Sequence, residues 1–374
     1  MSYKILIVNQ NSGYLTIDVA NAFKEKYEEV VVMYGMNRVT ERNFHPDIKI
    51  QKTMKYDRSS TVKRLWTWGV CTLHLFFLLL FKYRGYHVLY YTNPPMSYFN
   101  ALFFSNPFSI VVFDTYPDAL SLIGIKQSSL IYRIWEKINK KVFSKAVQII
   151  TLSEGMKQKL GNYVDKKKVK VVSVWSASDI FKPIAKNLNP FIKKHKWEDK
   201  FIVLYSGNMG IGHKLEVLID VAKMLEEKKE ILFLFVGEGT KKKTLIDLVN
   251  KNELENVHFI TWQDAETLPY SLAAGDIAVV ALEPEATHAS VPSKTFNYMA
   301  VGAPILAIGS KGSELEKLIY HHSLGFYCDR KEVTEIKSFV LEILSNKNKA
   351  DQLSENSFQA AKKFNYEMAV QYVF

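Results

Sequence analysis

Short apolar runs rich in Val, Ile and Tyr recur at Lys4–Val8, Val30–Tyr34, His87–Tyr91, Ile110–Phe113, Gln148–Thr151 and Val169–Val174. They are too short for helices and read as strands. Segments with helical spacing lie between them, such as Ile17–Tyr27, Ser129–Phe143 and Glu154–Leu160. The alternation repeats with clearer punctuation from residue 201. Strands are predicted at Phe201–Ser206, Ile231–Val236, Val257–Ile260, Ile277–Leu282 and Pro304–Ile308. Helices are predicted at Leu215–Glu226, Thr240–Lys251, Ala265–Ala274, Lys294–Val301 and Gly312–Ile319. Strand and helix in alternation predict an α/β fold with parallel sheets covered on both faces. The stretch Ser178–Lys200 is polar and basic and holds Pro183 and Pro190, which is linker composition. The expected organisation is a doubly wound domain over 1–180, a linker over 181–200, and a second doubly wound domain over 201–346. A last helical segment, Lys347–Phe374, places Leu353, Phe358, Ala361, Phe364, Met368 and Tyr372 near helical spacing, and is expected to pack across both domains. Ligands of such sheets bind at the carboxyl ends of the strands.

Composition agrees with a packed protein: 48% of the 374 residues are hydrophobic and 23% are charged. At about 150 residues per domain the length allows two to three units. The net charge of +11 is unevenly placed. Residues 1–190 hold 27 Lys and Arg against 13 Asp and Glu, whereas residues 191–374 hold 22 against 25. The basic half is therefore expected to face something anionic. Cys71 and Cys328 form no metal or redox spacing, which suggests a reducing compartment. Met1–Lys4 runs straight into strand-like residues, so no leader is read there. The uncharged run Leu65–Phe81 contains Thr67, Gly69, Thr72 and His74, and falls at or below the length of a spanning helix. Lys63 and Arg64 precede it, Lys82 and Arg84 follow it, and Trp66 and Trp68 sit at one edge. That pattern suits a helix resting on an anionic surface or a buried helix of the first domain.

Three segments carry candidate chemistry. Tyr205–Lys214 runs from a strand through Gly207, Gly210 and Gly212 towards a helix. Its glycines allow backbone amides to approach a phosphate, although an ordinary tight turn has the same composition. It has neither the Gly-Lys-Ser/Thr ending of a nucleotide-hydrolysing loop nor a Gly-x-Gly-x-x-Gly fingerprint. Phe235–Gly239 is followed by Lys241–Lys243, cations that oppose the dipole of the helix they open. They imply a nearby anion or a solvated lysine run. Leu282–Lys294 is a long loop entering a helix, with Ser293 as the expected N-cap. Amides around Val291–Lys294 and the Lys294 ammonium would cradle a pyrophosphate.

The succession SGNMG, FVGEG, VHFITW, DIAVVAL and VPSKTFNYMAVGAPILA resembles the donor domain of family 4 retaining glycosyltransferases of GT-B architecture, and covers essentially all of residues 201–327. In the first half, Asn93-Pro94-Pro95, Val112–Asp118, Ile150–Glu154 and Val172–Trp175 are similar to acceptor-domain segments of the branch that builds bacterial capsule and O-antigen. The resemblance implies two Rossmann-like domains facing a central cleft. It also implies transfer of a sugar from a nucleotide sugar, a UDP-sugar, with retention and without a metal or other cofactor. No Asp-x-Asp pair is present, and Glu283 with Glu285 is the nearest substitute. The implied acceptor is a polyprenyl diphosphate-linked saccharide at the inner face of the cytoplasmic membrane.

For the chemistry, fixed cations and amide dipoles would stabilise charge developing on the diphosphate. Lys294 leads, and Lys214 is a weaker candidate. Asp114, after an apolar strand, falls where many relatives carry a catalytic His or Asp; Asp118 is second. The donor-side candidates are Gly207, Asn208, Met209, Gly210, Glu238, Trp262, Glu285, His288, Ser290, Val291, Pro292, Ser293 and Asn297. Those on the acceptor side are Asn11, Gly13 and Asn93. One departure is notable. The Glu-x7-Glu pair of many relatives falls on Ala289 and Asn297 here, so a ribose contact passes to Asn297. Trp262 stands where a small residue is expected, either stacked on a base or packed as an indole. The competing readings are a GT-B epimerase and a catalytically silent GT-B subunit of an assembly complex. No nucleic-acid motif accompanies the charge.

Overall fold

The computed structural model describes residues 3–37, 42–57, 59–118, 120, 126–177, 179–210, 213, 215–282, 291–329 and 332–374. The chain divides into two compact units, one of residues 1–173 with 366–374 and one of residues 174–365.

The first unit is built on seven parallel strands. They are β1 (Lys4–Val8), β3 (Glu29–Tyr34), β5 (Lys49–Lys52), β6 (His87–Tyr91), β7 (Phe108–Val112), β8 (Ile149–Thr151) and β9 (Val169–Val171). Their order is β5-β3-β1-β6-β7-β8-β9, with Ile7 opposite Val32 and Leu89. A separate two-stranded pairing joins β2 (Asn11–Ser12) to β4 (Met36–Asn37). Helix α1 (Tyr14–Lys24) buries Ile17, Val19 and Phe23. The opposite layer is formed by α2 (Thr61–Phe81), a 3-10 turn at Ser97–Leu102, α3 (Leu130–Lys145) and α4 (Glu154–Leu160). Their Cys71, Leu75, Leu79, Tyr98, Phe143 and Met156 join Leu6, Val8 and Tyr90 in one core.

Helix α2 starts earlier than its apolar run because the Ser60 hydroxyl accepts the Lys63 N–H at 3.2 Å. With Thr61–Arg64 added it has 21 residues, and its most apolar window has a mean hydropathy of 1.5. By length and composition it reaches the spanning range, contrary to the shorter run read from sequence. Thr67, Trp68, Cys71, Leu75 and Leu79 nevertheless pin one face into the unit.

The second unit has strands β10 (Phe201–Ser206), β11 (Ile231–Val236), β12 (Val257–Ile260), β13 (Ile277–Ala281), β14 (Ile305–Ile308) and β15 (Gly325–Cys328). The order is β12-β11-β10-β13-β14-β15, all parallel. β11 is buried at every position, which explains its unbroken apolar sequence. Around the sheet lie α5 (Pro190–His195), α6 (Glu216–Met224), α7 (Lys242–Lys251), α8 (Leu268–Leu272), α9 (Ser293–Ala300), α10 (Glu314–His321), α11 (Val333–Ser345) and α12 (Lys347–Ala361).

Several expectations are corrected. Residues 181–200 are not a linker: α5 lies there, Asn189 caps it by accepting the Phe191 N–H, and Asn189, Phe191 and Ile192 are buried. The boundary falls instead between Ser173 and Val174. The C-terminal segment is not one helix. α12 ends at Ala361, and α13 (Glu367–Val370) then packs on α1 in the first unit. Phe374 closes against Phe23 and Tyr27 there. The charge asymmetry survives the new boundaries: the first unit carries 25 Lys and Arg against 13 Asp and Glu, the second 24 against 25.

Candidate functional site

In each sheet the strand order reverses once, and the crevice outside that reversal is the place for a ligand. In the second unit the reversal lies between β10 and β13. The loop after β10 holds Gly207, Asn208, Met209 and Gly210. Met209 is fully buried and Asn208 is exposed. The Gly207 N–H donates to the Val236 carbonyl oxygen at 2.9 Å and the Met209 N–H to that of Glu238 at 2.8 Å. These two amides therefore stitch neighbouring loops together rather than pointing at a phosphate, which corrects part of the expected cradle. Gly237 shows the tightness: at φ +137° its position for a Cβ lies 2.1 Å from the Gly207 carbonyl oxygen.

Helix α9 brings Lys294 to this loop. A Cβ on Gly207 would meet the Lys294 Nζ at 2.8 Å, so the glycine permits the approach. The ammonium lies 3.7 Å from the centre of the Tyr205 ring, and Tyr205 in turn donates its hydroxyl to the Asn208 carbonyl oxygen at 2.7 Å. The Lys294 Nζ is sealed from solvent and has no hydrogen-bond partner among the described residues. Burial lowers its pKa from 10.5 to about 7. Tyr298 fixes the helix: its hydroxyl accepts the Ser206 N–H at 2.8 Å and donates to the Ser206 carbonyl oxygen at 3.2 Å. Asn297, three residues after Lys294 and hence on the same helical face, has a buried Oδ1 with no partner among the described residues. Ser293 is not the N-cap. Pro292 occupies that position in an extended conformation, and Ser293 is the exposed first helical residue. Val291 and Pro292 are half-buried. The first-turn amides of Ser293 and Lys294 have no acceptor within the helix.

Two of the three lysines that open α7, Lys241 and Lys242, are explained by the fold. Lys241 pairs with Glu216 at 3.0 Å, and Lys242 with Glu238 at 2.6 Å. These carboxylates offset the cations at the helix start, so no further anion is required. Trp262, after β12, is 51% exposed and is not a packed indole. Lys214, Glu285, His288 and Ser290 lie outside the described residues.

In the first unit the reversal lies between β1 and β6. Asn11 and Gly13 follow β1 and Asn93 follows β6. The Gln10 N–H donates to the Asn93 carbonyl oxygen at 2.8 Å, joining the two loops. Gly13 caps α1 and has open space where a side chain would stand. Asn11 Oδ1, Gln10 Oε1, Ser12 Oγ and the Tyr91 hydroxyl are buried without partners among the described residues. Asp114 follows β7, and its N–H donates to the Thr92 hydroxyl at 3.2 Å. Its side chain keeps solvent-accessible surface, yet protein atoms crowd round the carboxyl and desolvation raises its pKa above the usual aspartate value. Asp118 is occupied otherwise. Its two carboxylate oxygens accept the hydroxyls of Tyr132 at 2.6 Å and Tyr163 at 3.0 Å, so both oxygens already hold partners within the first unit.

Sequence reasoning missed Tyr205, Tyr298, Gln10, Ser12 and Tyr91. Tyr205 directly precedes the glycine loop, but only the fold sets its ring under Lys294.

Comparison with known proteins decides the class. Residues 189–360 match the family model "Glycosyl transferases group 1". The chain carries a glycosyltransferase group 1 domain, and it is a glycosyltransferase. It is 26% identical over 352 residues to a protein named as a glycosyltransferase, WbjE of Pseudomonas aeruginosa, covering 90% of this chain and 86% of that one. Over 121 residues it is 34% identical to WcaI of Escherichia coli K12, described as a colanic acid biosynthesis glycosyl transferase; this covers 32% of this chain and 30% of WcaI. Among solved structures, HepE of Anabaena in complex with UDP-glucose superposes with a TM-score of 0.73 at 16% identity, over 99% of this chain and 97% of that one. At that identity the likeness establishes the fold, the two-domain α/β GT-B architecture expected from the sequence.

Proposed function

We propose that this glycosyltransferase moves a sugar from a UDP-sugar to a lipid-linked saccharide, with retention and without a metal, in the assembly of a bacterial surface polysaccharide. The observation that carries the donor half is the Lys294 amino group, buried and without a partner among the described residues, beside Gly207 at the strand reversal of the second unit. A buried cation with no partner is unfavourable in the folded protein, and an anionic diphosphate supplies its missing counter-charge. HepE was solved with UDP-glucose, and WcaI is named for colanic acid synthesis; both support the reading. As the bond from the sugar carbon to phosphate breaks, negative charge grows on the diphosphate. Lys294 and the first-turn amides of α9 would stabilise it. Asn297 would accept a ribose hydroxyl, and Trp262 offers an exposed ring for the base. Asp114, with its raised pKa, would hold the acceptor hydroxyl and receive its proton as the new glycosidic bond forms. Among the described residues no three of His, Cys, Asp and Glu come together as a metal site requires.

The acceptor side rests on the outer face of the first unit. Leu65, Trp66, Leu73 and Phe77 project from α2 into solvent, and Leu130 and Ile131 from α3, with exposures of 49–72%. Lys63, Arg64, Lys82, Arg84 and Arg133 flank them in sequence, in the unit that carries the basic excess. An apolar stripe bordered by cations fits an anionic lipid surface.

Thermal stabilisation by UDP-, GDP- and dTDP-sugars, followed by donor-dependent labelling of membrane lipid extracts, tests the reading. Stabilisation by UDP-sugars with label in lipid is expected. Binding without transfer would favour a silent subunit, and no binding by any nucleotide sugar would sink the donor assignment. For the membrane face, salt-sensitive co-sedimentation with phosphatidylglycerol vesicles should be lost in Leu73→Asp/Phe77→Asp at unchanged melting temperature. Equal sedimentation of both proteins would overturn it.

A further inference from the structure

The surroundings of Lys294 bear on how charge enters the site. Titratable side chains facing it are Tyr205 and Tyr298, both pushed well up by burial and so neutral. Strands β13 and β14, against which α9 packs, are wholly apolar. On α12, Glu355 is held by Gln359 and Lys349 pairs with Glu342. Glu216 and Glu238 are taken by Lys241 and Lys242, and the His213 ring lies 3.1 Å from the Ala281 carbonyl oxygen. Among the described residues no charged side chain contributes to the shift at Lys294, and burial is its cause. Glu283, Glu285 and His288 precede it in a segment outside the described residues.

We propose that Lys294 meets the donor as a neutral amine, takes one proton from solvent as the nucleoside diphosphate seats, and returns it when the nucleoside diphosphate leaves. The inference rests on the donor reading above. Its physical basis is the site itself: a dry pocket penalises an isolated ammonium, and an adjacent diphosphate reverses that preference. The proton is the only particle exchanged, and no covalent bond to the lysine forms. The Tyr205 ring face offers the new ammonium a second, weaker partner. The full cation thus forms only once its anion is in place, and its charge is retained through the step in which the leaving diphosphate gains its own. One consequence is that donor affinity falls at alkaline pH.

Calorimetric titration with UDP in buffers of differing ionisation enthalpy counts the protons. With a pKa of about 7, uptake at pH 8 should be about nine-tenths of a proton per UDP, dropping to about half at pH 7. Lys294→Met should remove the uptake and weaken UDP at least about tenfold. UDP binding without proton uptake would overturn the proposal, as when Glu283 or Glu285 already pairs with the lysine; so would uptake that persists in Lys294→Met. A second measurement needs no nucleotide. In protein labelled with ε-13C-lysine, the resonance absent from Lys294→Met should titrate near pH 7, and titration above pH 10 would overturn the inference by itself. A lysine titrating near 7 in a protein that binds no nucleotide would instead sink the donor reading.

Discussion

Replacing Lys294 by methionine should stabilise the free protein while impairing its chemistry. The lysine holds a pKa of about 7 in the fold against 10.5 in the unfolded chain. The unfolded chain therefore binds more protons between those values, and the penalty of burying the lysine is largest at and below neutral pH. It works out at about 4 kcal/mol at pH 7 and about 2 kcal/mol at pH 9. Allowing half for relaxation and water entry leaves a gain of about 2 kcal/mol at pH 7 for methionine, which has similar length and no charge to desolvate. For the second unit, residues 174–365, that is a rise of about 4–8 °C in melting temperature. The gain should roughly halve at pH 9. Differential scanning calorimetry of both proteins at the two pH values measures it. A methionine variant that melts lower, or whose gain does not change with pH, would mean that Lys294 is charged and paired in the free protein. Either result would refute a buried amine without a counter-charge at this position.

Three further outcomes are expected. Asp118→Asn leaves two tyrosine hydroxyls competing for one carbonyl oxygen; it should cost about 1–2 kcal/mol by urea unfolding and leave turnover per folded molecule unchanged. Gly237→Ala forces a methyl group against the Gly207 carbonyl oxygen at a left-handed φ, and should lower stability by about 2–4 kcal/mol, with loss of UDP binding in a thermal-shift assay. Asp114→Asn should depress turnover while UDP affinity stays the same. In the parent protein the rate should fall on the acid side at a higher pH than an ordinary aspartate would give, because desolvation raises this carboxyl.

Much of the fold was legible because buried parallel strands carry an unmistakable signal. β1, β6, β10, β11 and β12 have the bounds read from the sequence. β5 was not legible: Lys49–Lys52 is a polar strand at the sheet edge, where one row of backbone bonds suffices and no apolar face is demanded. Helix α11 had a readable signal in Ile336, Phe339, Val340 and Ile343 and was missed all the same.

The sequence by itself determined two doubly wound sheets and candidate side chains at the ends of their strands, because hydrophobic period and glycine placement are local properties of the chain. Tertiary structure decided which of those side chains are free to act. Asp118 is bound by two tyrosines, the amides of Gly207 and Met209 serve the fold, and Lys241 and Lys242 have carboxylate partners. Lys294 is left as a sealed amine on a tyrosine ring, with no partner among the described residues. Whether a charge is matched depends on partners distant along the chain, and only packing brings those together.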